Sequence, residues 1–243
     1  EGKLVTERER DEELSAERCF WWLSDWPTCP TPTIAGTFEI CKQLLPTQLY
    51  TIHKTCVSDS SDSACRLCRT TPEGMVHILP ACPALAQTKY LATHDAVLKL
   101  LFFEIIFDLC LIDTVTPWYS PVKPQSVYET AGYRRTGMFR YMESTKGLRA
   151  NRLDARIINN RDKQVIALEM SCPWVTTGTT EKTSEKLMKY APLRWELKQR
   201  YPGYESNECN IILDVLGGWS KDFDVTLLKL VGSKAKVVLK KMQ

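Results

Sequence analysis

No run in this chain is both long enough and apolar enough to cross a bilayer. The most hydrophobic stretch, residues 97–112, is interrupted by Lys99, Glu104 and Asp108 and falls short of the roughly 20 apolar residues a spanning helix needs. No secretory leader opens the chain. Its first residues, EGKLVTERERDEEL, are charged and lack an initiator Met, as expected of a piece cut from something longer. Net charge is small as well. The 32 Lys and Arg against 29 Asp and Glu leave +3, too little to bind nucleic acid by bulk charge. There is no internal repeat. Hydrophobic residues at 44% and charged residues at 25% exclude a disordered chain, a collagen and a coiled-coil rod. The expectation is an intracellular protein, reduced and with no membrane partner.

What is present begins with ten cysteines in 243 residues. Disulfide frameworks belong to small chains that cannot build a core, and this chain can build one. Cys65 and Cys68 form a C-x-x-C turn, followed by His77 and Cys82. A tetrahedral zinc takes four such ligands, two from a tight turn and two from an adjoining loop or helix. The competing reading is three buried thiols and a hydrogen-bonded histidine. The other cysteines show no ligand spacing, and most read as small core residues.

The chain reads as a mixed α+β protein. Residues 1–18 are a charged connector. Residues 19–112 form a mostly helical unit that carries the zinc knuckle at 65–82, with helices at 34–50 and from Pro83 to about 110. Residues 113–150, with Pro117, Pro121 and Pro124, are an irregular junction. Residues 151–225 are an α/β domain: strands at 152–159 and 164–170 around an NNRDK turn, a helix at 181–200 broken or restarted at Pro192, and a strand at 210–218. Residues 226–243 are a tail. Residues 151–200 hold 10 basic against 6 acidic side chains, so a phosphate backbone would bind there, although a solvated helix face gives the same count.

Asp154 heads the first of these strands and Glu169 ends the next. Antiparallel pairing brings head and tail to one sheet edge. Two carboxylates there, with a backbone carbonyl such as that of Met170, make a hard oxygen site of the kind Mg²⁺ prefers. A simple PD-(D/E)xK pattern would put a lysine where Ser171 stands. Lys182, Lys186 and Lys189, spaced to share a helix face, offer a substitute. The plainer reading pairs Glu185 with Lys189 on a solvated stripe.

The ordered run CRLCRTTPEGMVHILPACPALAQTKYLATH, ANRLDARIINNRDKQVIALEMSCPW, EKLMKYAPLRWEL and IILDVLGGW resembles the C-terminal region of non-LTR (LINE-type) retrotransposon polyproteins. In that lineage a CCHC zinc knuckle precedes a restriction-endonuclease-like domain of the PD-(D/E)xK type with a displaced lysine. The resemblance implies a metal-dependent DNA endonuclease that nicks target DNA to prime reverse transcription. It implies structural Zn²⁺ on Cys65, Cys68, His77 and Cys82, and catalytic Mg²⁺ on Asp154 and Glu169. Lys186 is the displaced lysine in an EKxxKY context, and Arg152, Lys182, Lys189 and His94 are nucleic-acid contacts. DNA and element RNA are the implied partners, with a reverse transcriptase upstream in the same polyprotein and a nuclear location. Leu153 stands in place of the family's proline, Thr93 in place of an arginine and Arg140 in place of an acidic residue. The alternative is a non-catalytic, zinc-containing nucleic-acid-binding remnant or a host-captured module.

Overall fold

The computed structural model describes all residues except 1–2, 11, 13, 15–17, 56–62, 118, 126, 130–132, 137–140, 143–151, 175–183, 187 and 220. The architecture is mixed α/β. Strands β1 (Val127–Glu129), β2 (Tyr133–Thr136), β3 (Tyr141–Met142), β4 (Arg152–Leu153), β5 (Ala155–Asn159), β6 (Gln164–Ser171) and β7 (Glu205–Ile212) form two sheets. The larger runs β1-β2-β5-β6-β7, and β3 pairs with β4. Pairing is antiparallel from β1 to β6, whereas β6 and β7 run parallel. A parallel pair needs a crossover, and the helix Ala191–Arg200 lies in that connection.

The β5–β6 hairpin forms where the two apolar segments and the NNRDK turn place it. Asn159 Oδ1 accepts the Asp162 N–H at 3.0 Å, its amide donates to Asp162 Oδ2 at 2.7 Å, and Lys163 takes a left-handed φ of 50°. Side chains then alternate across the sheet. Ala155, Ile157, Leu168, Met170 and Ile211 face the helix Leu91–Asp108. Ile158, Val165 and Ala167 face Leu193 and Leu197 of the helix Ala191–Arg200. Pro192 sits in the first turn of that helix, where its missing N–H costs nothing.

Several expectations are corrected. Residues 226–243 are not a tail: the helices Lys221–Val231 and Ala235–Met242 pack into the main core through Phe223, Leu227, Val231, Val238, Leu239 and Met242. They cover the helix Leu91–Asp108, whose apolar residues therefore surround it instead of lining one face. Its buried Glu104 accepts from Lys241 Nζ at 2.5 Å. The N-terminal connector includes a helix, Lys3–Arg10, and its Arg8 is buried in an ion pair with Asp214. The junction supplies β1 and β2, and so extends the sheet. The expected 34–50 helix is two, Thr31–Cys41 and Gln48–Thr55, separated by Gln43 at a φ of 58° and by Pro46. The last strand starts earlier than expected and gives way to the LGG turn, where Gly217 takes a φ of 79° that only glycine adopts freely.

Candidate functional site

Cys65, Cys68, His77 and Cys82 converge, with one ligand atom from each lying within 4.8 Å of all the others. The Cys65 and Cys82 sulfurs are 3.8 Å apart, the edge of a tetrahedron with Zn–S bonds of about 2.3 Å. Cys68 Sγ is 3.2 Å from His77 Nε2. The cluster can hold a metal ion such as zinc. Local structure shapes it. The segment turns back on itself through Cys65 N–H to Thr71 O and Arg69 N–H to Cys65 O, each 2.8 Å, with Arg69 at a φ of 59°. Thr71 Oγ1 lies 2.9 Å from His77 Nδ1, which orients the ring so that Nε2 faces the sulfurs. Hydrogen bonds from Thr70 above all bring the Cys68 thiol down to about 6, towards the thiolate a metal needs. Burial pushes Cys82 the other way.

Glu73 secures this turn. It is 2% exposed and takes the Arg66 N–H at 2.8 Å, the Gln48 N–H at 3.2 Å and the Arg66 guanidinium at 2.5 Å. The Arg66 hydrogen bond is the main reason its carboxyl is held at about 2.

The carboxylates meet as the hairpin dictates. Asp154 occupies the bend between β4 and β5, 7% exposed, and its Oδ2 accepts the Met170 N–H of β6 at 2.7 Å. Glu169, 9% exposed, lies on the face of β6 turned towards the helical segment that carries Lys186 and Tyr190. Lys186 Nζ donates to Glu169 Oε1 and to the Met170 carbonyl, both at 3.1 Å. Tyr190 donates to Glu169 Oε1 at 2.6 Å and accepts from Lys189 Nζ at 2.9 Å. An open cleft of about 380 Å³ is lined by Tyr90, His94, Asp154, Glu169, Lys189 and Tyr190.

Charge in the cleft follows from this packing. Burial first, and then the charge of Asp154, push the Glu169 carboxyl up, while Lys186 and Tyr190 oppose them. Burial and the Glu169 hydrogen bond raise the Tyr190 phenol, so it stays a donor. Burial pulls His94 down. The hydrogen bonds and charges of Asp154 and Asp95 outweigh it and bring the imidazole to about 9. His94 Nε2 lies 3.2 Å from Asp154 Oδ2, so its first partner is a carboxylate where a phosphate contact was expected.

Asp154, Glu169, Lys189 and His94 are thus brought to one cleft, with Lys186 bonded to Glu169 and the Met170 carbonyl, and the four cysteine and histidine ligands to another site. Arg152 lies in β4 next to Asp154, whereas Lys182 and Arg140 lie outside the described residues. Reasoning from sequence missed Tyr190, Tyr90 and Glu73. Tyr190 was within reach, being four residues after Lys186 and so on the same helical side. No local pattern marks Glu73, whose partners depend on the folded knuckle. No protein-family model matches the chain, and no curated protein matches it.

Proposed function

We propose that this chain is the metal-dependent DNA endonuclease portion of a retrotransposon polyprotein. It would nick target DNA to prime reverse transcription, in a nuclear setting and alongside an upstream reverse transcriptase. One observation carries the reading: two buried carboxylates, one from the β4–β5 bend and one from β6, line an open cleft, and a lysine is bonded to the second. The donors fit Mg²⁺ in kind, since Asp154, Glu169 and the Met170 carbonyl offer hard oxygens. When bound, the ion supplies Lewis acidity towards a phosphate and a water of lowered pKa.

The chain's own groups do the rest. Tyr190 and Lys186 fix the Glu169 carboxylate, and the Met170 N–H fixes that of Asp154. Lys186 brings a positive charge to where negative charge develops on a phosphate under attack. Lys189, exposed at the cleft wall, holds the DNA backbone without reading sequence. The zinc module adds a second grip on DNA or element RNA. A second reading, a non-catalytic nucleic-acid-binding remnant or captured module, is favoured by one feature: His94 and Lys186 already neutralise the two carboxylates.

Nicking of supercoiled plasmid in Mg²⁺ separates the two readings. The endonuclease reading expects wild type to nick, and Asp154→Ala, Glu169→Ala and Lys186→Ala each to lose on the order of a hundredfold or more. No nicking in Mg²⁺ or Mn²⁺, with nucleic-acid binding retained, supports the second.

A further inference from the structure

We propose that Tyr90 is a positioning residue that ties the metal cluster to the cleft, so that zinc occupancy sets the wall carrying His94. The inference rests on the reading of the cleft as the reaction site. Tyr90 faces both sites. It lines the cleft with His94, Asp154 and Glu169. Its hydroxyl accepts the N–H of Cys82, a cluster ligand, at 2.8 Å and donates to the carbonyl of Ile78, the neighbour of the ligand His77, at 2.5 Å. A single phenol oxygen therefore bridges the backbone of both halves of the second ligand pair.

From there the connection continues through one helix. Tyr90 closes the π-helical turn Ala86–Tyr90, and the helix Leu91–Asp108 follows directly. His94, four residues on, lies on the same side as Tyr90 and meets Asp154 Oδ2 at 3.2 Å. The far end of this helix is anchored, with Leu98 and residues 100–106 buried in the main core. Its first turns are less buried, with Ala92, Thr93 and Ala96 exposed and Val97 only edging the core, and this end also meets the knuckle through the Tyr90 hydroxyl. Ligand residues and their backbone are ordered by the metal they bind. Loss of zinc frees the Cys82 N–H and the Ile78 carbonyl, and with them the anchor that holds His94 against Asp154. Glu169 stands on β6 and Asp154 is held by the Met170 N–H of that strand, so the carboxylates stay in place.

The test uses the whole chain and reads His94 directly. The sequence has 3 histidines, so the His94 ring signals in NMR are resolved from the other two. Zinc removal by chelator is expected to shift the His94 signals and to speed amide exchange over residues 86–94 about tenfold. Zinc-loaded Tyr90→Phe should show the same His94 shift and the same faster exchange while still binding one metal, with nicking about tenfold slower. Leu101→Val, chosen to lower the melting temperature as far as Tyr90→Phe does, should leave the His94 signals at their wild-type positions. The proposal is overturned if zinc-loaded Tyr90→Phe keeps wild-type His94 signals and exchange, or if chelation leaves them unchanged. It is also overturned if Leu101→Val shifts them equally. If wild type fails to nick, the endonuclease reading falls, while the His94 signals still decide the role of Tyr90.

Discussion

Replacing Glu73 with glutamine tests whether the knuckle is built as described. Both carboxylate oxygens of Glu73 accept hydrogen bonds, from the Arg66 N–H, the Gln48 N–H and the Arg66 guanidinium. An amide in its place offers one acceptor oxygen and turns an NH₂ group towards donors, whichever way it is flipped. One backbone N–H is then left without its acceptor in a buried setting, at a cost of about 1–3 kcal/mol. The Arg66 side chain is 57% exposed, so losing its charge partner adds little. The expected loss is about 2 kcal/mol, or about thirtyfold in zinc affinity if it is felt entirely by the metal-bound turn. Competition with a chromophoric chelator at pH 7 measures it. The pH dependence has a definite sign. Glu73 titrates lower in the folded protein than its ordinary value of 4.5, so its contribution is complete above that value. The gap between wild type and Glu73→Gln should narrow as pH falls below about 4.5 towards about 2. A Glu73→Gln protein that binds zinc within twofold of wild type at pH 7 would refute the reasoning.

Two further outcomes are expected. Leu239→Ala, at a position 2% exposed in the main core, should lose about 2–5 kcal/mol in urea unfolding; a loss below 1 kcal/mol would mean that the C-terminal helices do not pack as described. Tyr190→Phe removes the 2.6 Å bond to Glu169 without changing shape, and should slow nicking by about tenfold with an unchanged DNA affinity. A change in affinity alone would place Tyr190 in binding instead.

Local signals and distant partners explain what could be read from sequence. The C-x-x-C turn with His77 and Cys82 is a spacing pattern, and its ligands do converge. The turn NNRDK between two apolar segments marked β5 and β6 and brought Asp154 close to Glu169, because a hairpin's register follows from its turn. The apolar end of β7 and a helical segment restarting at Pro192 were likewise legible, whereas the polar start of β7 at Glu205 was not. The C-terminal helices were missed because VGSKAKVVLKKMQ reads as basic and polar on average; its buried residues Val238, Leu239 and Met242 acquire meaning only against the helix Leu91–Asp108. Arg8 was read as part of a solvated run, because its partner Asp214 lies some two hundred residues along the chain. His94 was expected to face phosphate, and no spacing rule joins it to Asp154 across 60 positions.

The central claim is that Asp154 and Glu169 form a divalent-cation site. Electron paramagnetic resonance of Mn²⁺ titrated into the zinc-loaded chain measures it most directly. The account predicts a bound ion in wild type that is lost in both Asp154→Asn and Glu169→Gln, while the zinc content of all three stays the same. Mn²⁺ binding that is absent from wild type, or undiminished in the two variants, would contradict it.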